Sequence, residues 1–103
     1  MTDPSSKEIR QLRAVAHNLN PVVTIAGNGL SENVITELNR ALHDHELIKV
    51  KVVVGDREQR DSVIAELCET TGARLVQRIG NVAIILRRSL QPDPKKSNLL
   101  RKG

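Results

Sequence analysis

The segment "AGNGLSEN" (residues 26–33) follows the β-branched run "PVVTI" (21–25) and precedes the periodic stretch "ENVITELNRALHDH" (32–45), with Ser31 at the N-cap position. The first turn of a helix presents unpaired backbone N–H groups and the positive end of the macrodipole, so it can hold a phosphate. Glycines ahead of it let a sugar-phosphate chain approach without a Cβ in the way. The chemistry on offer at Ala26, Gly27, Asn28, Gly29 and Ser31 is capture of an anion. A glycine turn between strand and helix is also ordinary architecture, so its neighbours decide its meaning. No Gly-Lys-Ser/Thr follows, which excludes a P-loop, and the glycine spacing of a dinucleotide fingerprint is absent.

Cations supply those neighbours. In "ELIKVKVVVGD" (46–56) successive strand side chains alternate, so Ile48, Val50, Val52 and Val54 face a core while Lys49, Lys51 and Val53 face water. Arg74 and Arg78 share a face in a regular strand, Arg87 and Arg88 close the last strand, and Arg10 and Arg13 lie on one side of a first helix. A single surface cation is usually solvated decoration. Gathered on one surface near the glycine loop, these residues would form a track for an RNA backbone. Arg40, Arg57 and Arg60 are interleaved with acids and read as local charge pairing.

Other chemistries lack their partners. His43 and His45 are two apart, an offset that does not share a helix face, and neither a second cysteine nor a paired carboxylate completes a metal set with them or with His17. Cys68 lies in the apolar stripe "VIAELCE" and reads as a small core residue. Asp44 with Glu46 and Glu66 with Glu69 read as wet helix surface. No catalytic constellation emerges. The expectation is a protein that is not an enzyme, with no cofactor, no metal and no small-molecule substrate.

Positioning these residues requires seven elements. Ser5 with Glu8 three residues on suggests a capping box, and Ile9, Leu12, Val15, Ala16 and Leu19 recur at helical spacing, which predicts a helix over 5–18. A strand at 21–25, a helix from Ser31, a strand at 47–54 and a helix over 57–71 closed by Gly72 follow. Strands at 73–79 and 82–88 are joined by Gly80 and Asn81, a pair suited to a two-residue hairpin. The order α-β-α-β-α-β-β implies an α/β (α+β) two-layer sandwich with a mixed four-stranded sheet.

A chain of 103 residues with 39% apolar content supports one domain, expected over 1–88. The remainder, "SLQPDPKKSNLLRKG" (89–103), reads as a basic, flexible tail. The net charge is +4, of which the tail carries +3 and the body only +1. A nearly neutral body binds a polyanion only if its charges are segregated by face. The chain contains no Phe, Tyr or Trp, which excludes base recognition on aromatic platforms and leaves phosphates, sugars and shape. No apolar run is long enough to span a membrane, no secretory signal opens the chain, and a lone cysteine fits a reducing compartment. The expectation is a cytoplasmic monomer without membrane contact.

Taken together, "NPVVTIAGNGLSENVITELNRALHDHELIKVKV" and "GARLVQRIGNVAIILRR" resemble the CRM domain, the RNA-binding module named for chloroplast RNA splicing and ribosome maturation, and in particular its stand-alone bacterial YhbY-type members. The similarity spans about residues 7–88, with "HELIKVK" after a glycine-loop helix its most specific part. It implies a fold like the C-terminal domain of translation initiation factor three. It also implies RNA binding through a GxxG loop and an adjoining basic surface, as in domains whose GxxG loop clamps a nucleic-acid backbone. That loop pattern falls on Ala26, Gly27, Asn28 and Gly29; Ala26 replaces the first glycine and Gly27 the usual basic residue, so one cation is missing where a phosphate would sit. Lys49, Lys51 and Arg87 stand at matching basic positions. The resemblance further implies contact with structured ribosomal RNA in large-subunit precursors. From a different class, a protein-interaction adaptor docking a ribosomal protein or assembly factor fits the same residues.

Overall fold

Capping chemistry sets the start of each helix. The computed structural model describes residues 5–27 and 29–99, and in it Ser5 Oγ accepts the Glu8 amide at 3.2 Å to open α1 (Ser6–Ala16). Glu8 sends its carboxylate to Arg88 at 3.2 Å. Ser31 Oγ accepts the Val34 amide to open α2 (Glu32–His45). Asp56 and Gln59 form a reciprocal capping box at α3 (Arg57–Thr71), with bonds of 2.9 and 3.1 Å, a D-x-x-Q variant of the usual Ser/Thr box. Gly72 closes α3 in the left-handed region, as expected.

Four strands, β1 (Pro21–Ile25), β2 (Leu47–Val52), β3 (Arg74–Ile79) and β4 (Val82–Leu86), form one mixed sheet in the order β1-β2-β4-β3. β1 runs parallel to β2, while β2 with β4 and β3 with β4 are antiparallel. The helical crossover α2 makes the parallel pair possible. The tight β3–β4 turn needs a positive φ at its first central residue, which Gly80 supplies at 59°. Both edge strands carry a bulge, at Val22 and at Val76.

Alternation along β2 divides the core in two. Ile48, Val50 and Val52 join Leu38 and Leu42 of α2, Ile64 and Leu67 of α3, and Ala83 and Ile85 of β4 in the larger cluster. On the opposite face Leu47, Ile84 and Leu86 pack against Leu12 and Ala16 of α1. The expected layer of helices on a sheet is therefore α2 with α3. Helix α1 adds a partial third layer on the side expected to be wet, covering the end of the sheet nearest Leu47 and Leu86 and leaving the rest open.

The C-terminal segment departs from expectation. Residues 89–99 are not a free tail but a strap held at the α2–β2 junction. Glu46 ends α2 at φ 63°, a conformation costly for a residue with a Cβ, and its side chain is only 3% exposed. One carboxylate oxygen accepts the Ser89 amide at 2.6 Å and the other the Ser97 hydroxyl at 2.5 Å. Asn98 donates its amide to His45 O at 2.9 Å and its side chain to Leu47 O at 2.7 Å, and Leu99 packs against the α1 cluster. Composition hid this because docking depends on one buried acid distant in sequence. The expected tail residues 100–103 lie outside the described residues.

Candidate nucleic-acid interface

Strand register brings three turns to one end of the sheet. Ile25 pairs with Val52, and the Val53 amide donates to Ile25 O at 2.7 Å, so the β1–α2 and β2–α3 loops leave side by side. The Val52 amide donates to Asn81 O at 2.6 Å, placing the β3–β4 turn at the same end. Within the first loop the Gly29 amide donates to Ala26 O at 2.8 Å, closing a tight turn. Gly29 takes φ 69° with open space where a Cβ would project, so the backbone there is approachable from outside. Gly27 and Gly29 share an open groove with Val54, Gly55, Gln59 and Ser62. Asn28, expected in the loop site, lies outside the described residues.

Ser31 uses its hydroxyl to cap α2, leaving other first-turn amides for an incoming acceptor. Glu32 stands in that same turn and offsets part of the helix's positive end. Lys49 pairs with Ile84 and Pro21, and Lys51 with Val82 and Thr24, all on the α1 side of the sheet. Lys51 is exposed and Lys49 half-buried, and Thr24 beside Lys51 lies two residues before the glycine loop. Exposed Arg10 and Arg13 extend from α1 on the same side of the molecule. Exposed Arg88 also reaches α1, where it pairs with Glu8.

Two other expected site residues are placed elsewhere. The extra residue Val76 breaks the alternation of β3, so Arg74 sits opposite Leu86 on the α1 side while Arg78 sits opposite Ala83 on the α2–α3 side. There Arg78 pairs with Asp61 at 2.9 Å and donates to Gly80 O at 2.8 Å. Arg87 points between α2 and α3, donating from Nη1 to Asn39 Oδ1 (2.8 Å) and Thr71 O (2.9 Å) and from Nη2 to Asn39 O (3.0 Å). Its guanidinium fastens the core at the end of the sheet away from Gly29. Register also adds Thr24, Ile79 and Val82 to the open half-face, residues whose types carry no binding signal in the sequence. Strand alternation assigns each to a side of its own strand, but only pairing sets them beside Lys51.

Cys68 and His45 have packing and hydrogen-bond partners within the fold. Cys68 is half-buried in a shallow groove with Ile64, Ala65, Leu75 and Arg78, and burial pushes its thiol pKa up, away from the thiolate a nucleophile needs. His45 bonds Lys96 O through Nδ1 at 2.8 Å and holds the strap. Among the described residues no group of three or more His, Cys, Asp or Glu side chains could hold a metal ion.

The model of the CRS1/YhbY (CRM) domain matches residues 5–87, nearly the whole folded body. The chain belongs to this family. A probable RNA-binding protein of Pseudomonas aeruginosa is 41% identical over 97 residues, covering 94% of this chain and 93% of that one. An RNA-binding protein of Haemophilus influenzae is 46% identical over 89 residues, covering 86% and 90% respectively. The solution structure of a hypothetical protein from Staphylococcus aureus superposes with a TM-score of 0.75 at 35% identity, covering 86% of this CRM chain and 93% of the other. Three helices on a mixed four-stranded sheet are thus an experimentally observed architecture for a sequence this similar.

Proposed function

We propose that this protein binds RNA, contacting structured ribosomal RNA during assembly of the large subunit. The supporting observation is the placement of exposed Lys51 on the half-face that α1 leaves open, with half-buried Lys49 at its border, and of Lys51's register partner Thr24 two residues before the glycine loop. The loop admits a sugar-phosphate backbone at Gly29, first-turn amides donate to one phosphate, and the lysines, with Arg10 and Arg13 beyond them, neutralise its neighbours. Relatives named as RNA-binding proteins support this reading over catalysis. The assignment to large-subunit precursors is supported by the YhbY resemblance. The bulges at Val22 and Val76 blunt both sheet edges against pairing with another copy, which favours a monomer. The protein would work in the cytoplasm, where ribosomal precursors are found.

The test is titration with labelled fragments of large-subunit precursor RNA and, separately, with purified ribosomal proteins, at low and moderate salt. Binding to RNA that weakens steeply with salt is expected. Binding to a ribosomal protein with no salt-dependent affinity for RNA would replace this reading with the adaptor.

A further inference from the structure

The open half-face is not purely cationic. Thr24, Lys51, Val82 and Ile79 form one row across all four strands, joined pair by pair through the sheet register. Ile79 is 59% exposed and Val53, next along from Lys51 on the same face, is 48% exposed, while Val82 between them is partly open. These side chains join neither apolar cluster. Aliphatic groups that the core does not use therefore surround the exposed lysine closest to the glycine loop. Neighbouring strands are about 4.8 Å apart, so Ile79 stands about 10 Å from Lys51, roughly the span of one nucleotide from its phosphate to the edge of its base.

Resting on the RNA reading above, the geometry points to an unpaired RNA segment as the ligand, with a phosphate at Lys51 and a base lying flat on Ile79 and Val82. A duplex turns its bases inward and offers a flat surface only phosphates and sugars, which would leave these aliphatic side chains against charged groups. An unpaired strand offers both chemistries at the required spacing. The chain has no Phe, Tyr or Trp, and this shelf sets exposed aliphatic groups beside an exposed cation. A base shields the shelf from water without the directional preference of ring stacking, so little discrimination among bases is expected.

The experiment compares an unpaired oligoribonucleotide, its abasic counterpart and a duplex of equal length, each bound to wild type, Ile79→Ala and Lys51→Ala. Ile79 is exposed, so its substitution should leave the melting curve unchanged. Wild type is expected to prefer the unpaired oligonucleotide. Ile79→Ala should lower that affinity about three- to ten-fold without changing its salt dependence, and should leave abasic binding unaltered. Lys51→Ala should reduce the salt slope for all three ligands. Equal affinity of wild type for duplex and unpaired RNA, or an Ile79→Ala variant as tight as wild type, would overturn the shelf while leaving RNA binding intact. Absence of salt-dependent binding to any of the three would remove both.

Discussion

Replacing Arg87 separates an RNA contact from a structural fastener. Its guanidinium makes three bonds to Asn39 and Thr71, between 2.8 and 3.0 Å, from a half-buried position. A hydrogen bond from a charged donor contributes about 1.5–3 kcal/mol net, and the three share one side chain, so they do not add in full. Water reaches some of the vacated acceptors, and Arg87→Ala is expected to cost about 2–4 kcal/mol. In a domain of this size that lowers Tm by about 10–20 °C, or moves the urea midpoint down by about 2 M. Arg87→Lys retains the charge but cannot reproduce the planar fork, so it should recover less than half of the loss. The assay is urea unfolding followed by circular dichroism, with RNA affinity measured well below each variant's Tm. Unchanged stability in Arg87→Ala, with RNA affinity lost in it and restored in Arg87→Lys, would refute the structural assignment and return Arg87 to the interface.

Three further outcomes follow from the same geometry. Ser97→Ala removes the hydroxyl that meets buried Glu46, and should abolish hydrogen-exchange protection at Asn98 and Leu99 while amides of β2 and β4 remain protected. Asn and Asp both tolerate the φ of 69° at Gly29, so Gly29→Asn should bind RNA nearly as wild type while Gly29→Asp binds several-fold more weakly through repulsion of phosphate. Arg78→Ala should leave RNA affinity and its salt dependence unchanged, because Arg78 faces α3 and pairs with Asp61.

The element order was legible because each element carries its own local signal. The apolar stripe of "ENVITELNRALHDH", the alternation of "LIKVKV" and the Gly80–Asn81 turn each specify a structure without help from distant residues. What depends on pairing was not legible. A regular strand puts Arg74 and Arg78 on one face, and the Val76 bulge separates them. Arg87 reads as a surface cation until Asn39 and Thr71 are brought to it by α2 and α3. An amphipathic α1 fits either face of a sheet, and its choice decides how much of the lysine side stays open. The strap was hidden by its prolines and polar composition, since the group that docks it, Glu46, lies some fifty residues upstream.

The most direct measurement is the salt dependence of RNA affinity for wild type and for the double variant Lys49→Ala, Lys51→Ala. If both ammonium groups neutralise phosphates beside the glycine turn, the logarithmic slope should become shallower by about 1.4 to 1.8 and affinity at low salt should fall. A double variant with wild-type slope and affinity would contradict the open half-face as the seat of the RNA backbone.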